Sequence, residues 1–264
     1  MSEGFSYRFT HAIVRTPGAS AVDGLRATDR GAIDVPAFRR EHAGYVASLE
    51  RAGLAVTFLP PLEAYPDSVF VEDVALCLPE GAILLRPGTA TRAGEVGEIR
   101  SALAERFSRL AAVDEGSVDG GDILLTDAGA LVGLSGRTNR TGFDALEKLL
   151  RDFGCQAKAV ETPDDVLHFK TDCALLDAET ILATHRLCDA KCFRDFRVLE
   201  VPQGEDAAAN AIRVNDWVLI ADGFPRTAEL LDRSGYTVQQ VPVSQASLLD
   251  GGLSCMSLRY QAIR

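Results

Sequence analysis

Residues 250–260 read DGGLSCMSLRY, where a thiol sits in a glycine-opened loop beside an acid. Cys255 in that loop reads three ways: a buried structural cysteine, a metal ligand or a nucleophile. A nucleophilic cysteine attacks as its thiolate, whose ordinary pKa of about 8.5 falls beside a cation. It needs a group that donates and accepts protons near neutrality, which is histidine chemistry. It also needs a carboxylate to orient that imidazole and favour its charged form. His168 in LHFKTD and Asp119 in VDGGD are the candidates for these two roles. Asp67, Glu72, Asp73 and Asp250 add further acids, and a surplus of acids calls for a cationic substrate. A guanidinium suits them, because its planar fork of N–H donors matches carboxylates and its central carbon is an electrophile for a thiolate.

A repeated unit would bring these distant residues together. Amphipathic helices are expected at residues 36–52, 93–110 and 141–153, with weaker ones at 187–195 and 226–234. The first opens with Asp34 and Pro36, sets Phe38, Tyr45, Val46 and Leu49 on one face, and stops at Gly53. Each helix is followed by a short β-rich run: LAVTFLP, LAAVDE, AKAVET, RVLEVP and TVQQVPV. A polar loop comes next, then two apolar strands joined by a tight turn such as EG, AG or ND. The period is roughly 40–57 residues, as in radial or stacked arrays.

Four units are complete in chain order. The fifth has TVQQVPV, the DGGLSC loop and CMSLRY, and finds its missing strand and helix at the N-terminus in HAIVRTPG and residues 36–52. Pairing of the last strand with the first would close a ring and remove a sheet edge. The expectation is therefore one α/β domain over residues 1–264, built of pseudo-five-fold ββαβ repeats and closed by its terminal segments. An open α/β sheet of ordinary βαβ type is the alternative. In the ring, the five polar loops occupy equivalent places, so Cys255, His168 and Asp119 would meet at one centre.

Composition narrows the function classes. A net charge of −11 disfavours nucleic acid, whose phosphates need clustered Lys and Arg. No apolar run approaches the roughly 18 residues of a membrane helix, and MSEGFSYRFTHAIV lacks the pattern of a signal peptide. A cytoplasmic protein with no membrane partner is expected. Six scattered cysteines show no disulfide framework. His185, Cys188 and Cys192 form H-x2-C-x3-C, but without a convincing fourth ligand; they read as helix-start and core residues, and no metal is expected.

HAIVRTPG, VDGL, PDSVFVED, RPGTATR, VDGGD, SGRTN, LHFKTD, AAN and DGGLSCMSL, in that order from about residue 11 to 260, closely resemble the dimethylarginine dimethylaminohydrolases of the guanidino-modifying pentein superfamily. The resemblance implies a five-bladed α/β propeller. It also implies hydrolysis of Nω-methylated arginine to citrulline and a methylamine through a covalent Cys thiouronium, with no cofactor. By matching motifs, Cys255 is the nucleophile, His168 the general acid and base, and Asp119 the group that orients His168, where some bacterial members carry Glu. Asp73 would hold the guanidinium, with Glu72 and Asp250 near it and Phe70 packing on the substrate. Arg92 and Arg137 match the positions that bind the α-carboxylate, while Asp67 and the carbonyls near Leu25 and Leu249 would take the α-ammonium. GLRATDRGA reads as a lid. The rivals are an arginine deiminase or amidinotransferase and, more remotely, a ribosome-binding propeller. A monomer and a homodimer both fit.

Overall fold

Residues 4–262 are described by the computed structural model, and their strands and helices recur in one order. A hairpin is followed by a helix and then by a strand that returns parallel to the hairpin's second strand. The complete units are β3 (Ala75–Leu78), β4 (Gly81–Leu84), α2 (Glu95–Ala104) and β5 (Leu110–Ala112); then β6 (Ile123–Thr126), β7 (Gly129–Leu134), α3 (Arg140–Asp152) and β8 (Ala157–Glu161). Next come β9 (Cys173–Leu175), β10 (Thr180–Ala183) and β11 (Arg197–Glu200), then β12 (Ile212–Val214), β13 (Trp217–Ala221), α4 (Pro225–Arg233) and β14 (Thr237–Val241). The split unit is β1 (His11–Arg15), α1 (Val35–Arg51) and β2 (Ala55–Leu59), joined by β15 (Leu258–Tyr260). Five three-stranded sheets result, each with its hairpin pair antiparallel and its crossover pair parallel. β15 pairs antiparallel with β1, His11 facing Tyr260, so both ends of the chain share one sheet.

The hairpin strands are buried on both faces, and for that reason they read as unbroken apolar runs. Along β3, Ala75 and Cys77 face the apolar cluster shared with the β15-β1-β2 sheet, while Leu76 and Leu78 face the cluster shared with the β6-β7-β8 sheet. Successive residues alternate between the two faces of a strand. The same alternation puts Ile123 and Leu124, Ile181 and Leu182, and Val218 and Leu219 into different clusters. Five clusters therefore join each sheet to the next, and the last to the first.

The helices cover this assembly from outside. Asp34 caps α1 by accepting the Ala37 N–H at 2.9 Å, and Gly53 ends it with φ of +96°. Its buried stripe includes Phe38, His42, Tyr45, Val46 and Leu49. Two expectations are corrected. The second helix stops at Ala104 instead of running on to residue 110, because Phe107 turns into the core and Leu110 already starts β5. Residues 187–195 form no α-helix; only a single 3-10 turn, Lys191–Phe193, forms there. That crossover is short, and its Cys188, Asp189 and Cys192 are weak helix formers. No helix among the described residues is long and apolar enough to cross a membrane.

His42 is 3% exposed, its Nε2 has no hydrogen-bond partner among the described residues, and burial holds its pKa down at about 4. An unfolded histidine takes up a proton near 6.5, so stability from this group is intact above that pH and is lost as pH falls from 6.5 towards 4. The loss amounts to about 2 kcal/mol at pH 5. The urea midpoint of the wild type should fall between pH 7 and pH 5 more than that of His42→Phe.

Candidate active site

A 3-10 turn precedes the inner strand of every sheet: Val71–Val74, Gly120–Asp122, Phe169–Thr171, Asp206–Ala209 and Ser254–Met256. The turn at Val71–Val74 packs against those at Gly120–Asp122 and Ser254–Met256, and the chain of contacts continues through Phe169–Thr171 to Asp206–Ala209. These turns are the polar loops of the repeat, and they gather at one end of the sheets. Cys255 sits in one turn, Asp73 in another, and His168 and Asp119 stand just before two more.

The local sequence holds these turns close. Tyr45 of α1 donates its hydroxyl to the Leu253 carbonyl at 2.9 Å and lies 2.6 Å from Ser257 Oγ, bracketing Cys255. Asn210 grips the same loop from the fourth sheet: its Oδ1 accepts the Ser254 N–H at 3.0 Å and its Nδ2 donates to the Lys170 carbonyl at 3.1 Å. The glycine pairs allow the approach. A Cβ at Gly121 would lie 2.6 Å from His168 Nδ1, and one at Gly251 would lie 2.2 Å from the Phe70 ring.

Asp119, fully buried behind His168, accepts the Gly88 N–H at 2.7 Å through Oδ1 and meets His168 Nε2 at 3.0 Å through Oδ2. The shorter Asp side chain therefore reaches the ring without an intervening group. Asp73 takes the Gly121 N–H at 3.0 Å on Oδ1 and Arg92 Nη1 at 2.6 Å on Oδ2. Asp122, the second acid of VDGGD, accepts from Phe169 N–H, Ser135 and Thr138.

These charges set the protonation of the site. Burial alone would lower the His168 pKa, but Asp73 foremost, then the Asp119 hydrogen bond and Asp122, raise it to about 9. Burial pushes the Cys255 thiol up, Glu72 and Asp73 push it further, and it rests at about 12 despite the Gly252 N–H. Burial would also raise Asp73, yet His168 and Arg92 hold it below the ordinary carboxylate range. At neutral pH the resting site is thus a neutral thiol beside an imidazolium.

One cavity of about 190 Å³ brings together Leu25, Asp67, Phe70, Asp73, Arg92, Arg137, His168, Leu249, Asp250 and Cys255. Its roof is the 25–27 stretch, whose Leu25 N–H donates to Asp67 at 2.9 Å and whose Ala27 N–H donates to Asp250 at 2.6 Å. Glu72 is placed differently. It pairs with Lys170 at 2.5 Å and Arg259 at 3.3 Å and lines a second cavity among the inner strands. The side chains of Glu72 and Asp73, being adjacent, leave the turn in different directions. Arg92 is 4% exposed and bound by Asp73, both oxygens of Glu95 and the carbonyls of Asp67 and Phe70, which leaves one N–H of Nη1 unbonded among the described residues. Arg137 stands at the mouth, near Thr89 and 3.8 Å from Asp119. Sequence reasoning singled out neither Asp122 nor the roles of Asn210, Lys170 and Arg259. The repeated acid of VDGGD and the polar end of the AAN motif were the available signals.

Asp73, Asp119 and His168 converge within 4.8 Å, a spacing that could hold a metal ion. Here the imidazolium and the Arg92 guanidinium already neutralise these carboxylates, and a divalent cation would have to displace both.

No family model matches the chain. It is 39% identical over 255 residues to the N(G),N(G)-dimethylarginine dimethylaminohydrolase of Pseudomonas aeruginosa, covering 96% of this chain and 100% of that one. It is 30% identical over 254 residues to the protein of the same name from Streptomyces coelicolor, covering 96% and 97%. Among solved structures, a cysteine-to-serine mutant of the Pseudomonas aeruginosa enzyme complexed with citrulline matches with a TM-score of 0.93 at 37% identity, over 96% of this chain and 100% of that one. The N-terminal domain of ArgZ, a cyanobacterial arginine dihydrolase, matches with a TM-score of 0.82 at 17% identity over 98% of this chain and 99% of its own, and so shares the fold. Relatives this similar over almost their whole length leave one conclusion: the chain belongs to the dimethylarginine dimethylaminohydrolase family.

Proposed function

We propose that this protein hydrolyses Nω-methylated arginine, as asymmetric dimethylarginine or monomethylarginine, to citrulline and dimethylamine or methylamine. Family membership supplies the substrate class. The observation that carries the chemistry is one acid-lined cavity holding the Cys255 thiol and the His168 imidazolium. The cyclic series of five clusters also supports reading the architecture as a five-bladed α/β propeller.

The protonation states give the mechanism its order. With a thiol pKa of about 12, the thiolate fraction of the free protein at pH 7 is about 10⁻⁵. A guanidinium seated on Asp73 places a positive charge beside Sγ and offsets the Glu72 and Asp73 charges that hold the proton on. The thiol proton leaves to solvent, Sγ adds to the guanidinium carbon, and a C–N π pair moves onto nitrogen. His168 then protonates the dimethylamine nitrogen as its bond to carbon breaks, leaving a thiouronium on Cys255. Neutral His168 next takes a proton from water, which adds to that carbon. Sγ leaves as the C–S bond breaks and takes up the hydroxyl proton, which restores the thiol; the ureido carbonyl forms and citrulline departs. Asp119 keeps the imidazole oriented throughout.

The remaining groups bind the ends of the substrate. Asp67, its pKa raised by burial against the pull of Arg92, takes the α-ammonium with the carbonyls near Leu25 and Leu249. Arg137 takes the α-carboxylate. Arg92 fixes Asp73 in its ionised form and reaches the substrate through its remaining N–H. Phe70 packs on the guanidinium plane, and Asp250 anchors the roof through Ala27 and Arg30.

Incubation with asymmetric dimethylarginine should yield equimolar citrulline and dimethylamine from the wild type and none from Cys255→Ser; acid quench should leave a Cys255-linked adduct in the wild type. Citrulline formation by the serine variant at wild-type rate would refute the assignment. Because His168 must be protonated to release the amine, kcat should fall as pH rises through about 9. Asp119→Asn should lower kcat by roughly 10²–10⁴ and move this alkaline limb to lower pH. An unmoved limb would remove Asp119 from the role.

A further inference from the structure

The crossover from β10 to β11 is the one of the five, among the described residues, that contains no α-helix. His185 lies two residues beyond the end of β10, Cys188 comes one turn later, and Glu200 is the last residue of β11, paired in register with Ala183. The H-x2-C start of H-x2-C-x3-C is thus joined in space by a carboxylate from the neighbouring strand, and Cys192 is not part of the group. His185 Nδ1 lies 3.0 Å from Glu200 Oε1. A ring nitrogen of His185, Sγ of Cys188 and a carboxylate oxygen of Glu200 all fall within 4.8 Å of one another.

Imidazole, thiolate and carboxylate together form a donor set suited to zinc. With zinc–ligand bonds of about 2.0–2.3 Å, tetrahedral ligand atoms stand about 3.3–3.8 Å apart. The 3.0 Å between His185 and Glu200 would open slightly and the wider spacings would shorten, and the exposure of the two side chains, 85% and 52%, leaves them room to turn. The fourth vertex opens to solvent. We propose that His185, Cys188 and Glu200 bind Zn(II), or a divalent ion of similar softness, with water as the fourth ligand. The ion would clamp the adjoining ends of β10 and β11, where the other four crossovers are braced by a helix. Between the two ligands on the crossover, Arg186 already binds the buried Asp172 at 2.6 Å and Asp165 at 3.1 Å. The clamp would therefore also steady the stretch that leads into His168.

The test is a Co(II) titration of metal-free protein carrying Cys255→Ser, which removes the other thiol lying near acids and an imidazole. One equivalent should bind, with a thiolate-to-cobalt charge-transfer band and tetrahedral d–d absorption, and one equivalent of Zn(II) should abolish both. His185→Ala, Cys188→Ser and Glu200→Gln, each added to that background, should weaken binding by about tenfold or more. Zn(II) should raise Tm in the parent and leave it unchanged in the Cys188→Ser variant. Absence of the charge-transfer band, or a band of undiminished strength in the Cys188→Ser variant, would overturn the proposal.

Discussion

An imidazolium buried among Asp73, Asp119 and Asp122 is the interaction on which the site depends. Each of these carboxylates would be costly to bury alone, and each is satisfied by backbone N–H groups, hydroxyls or Arg92, while Asp119 also bonds the ring. Low polarity around them strengthens every remaining attraction. Asp73, the charge that does most to keep His168 protonated, also adds to the burial that holds the proton on Cys255, so imidazolium and thiolate do not stand together without a further positive charge. In the proposed mechanism a cationic substrate supplies that charge, which would give selectivity for guanidinium a physical basis.

Such an arrangement needs precise placement of residues separated by 49 positions between Asp119 and His168 alone. The two-sided strands supply it. A hairpin strand whose alternate residues enter different apolar clusters cannot shift register by one without exchanging both sets. Its preceding turn is therefore held at one height relative to its neighbours. Tyr45 and Asn210 then tie the Cys255 loop to a helix and to the fourth sheet, so the thiol is positioned from two sides.

The elements most legible in the chain were those with two signals that agreed. For α1, the cap at Asp34, the stripe of Phe38, Tyr45 and Leu49, and the stop at Gly53 coincide with the observed Val35–Arg51. The second helix was overextended because Phe107 and Leu110 continue the helical spacing while serving a turn and a strand. At residues 187–195, Leu187 and Phe193 mimic a helical face, but the core takes Leu187 from a turn and Phe193 from the short 3-10 turn.

The sequence by itself determined the repeat, the end-to-end strand pairing and the types of the reactive groups, because alternation, turn chemistry and residue identity are local properties. Cys255, His168 and Asp119 stand out by their shared place in the loops of the repeat, and the roles expected of them and of Asp73 come from the family's motifs. Where neighbouring side chains point was decided only by tertiary structure. Glu72 and Asp73 are adjacent, yet one pairs with Lys170 and Arg259 on the inner side and the other faces the cavity. Arg92 is enclosed by Glu95 and Asp73, while Arg137 stays at the mouth. Glu200 joins His185 and Cys188 only through the parallel pairing of β10 and β11. Charge partners form across distances that a linear pattern does not record, and burial determines which of them remain charged.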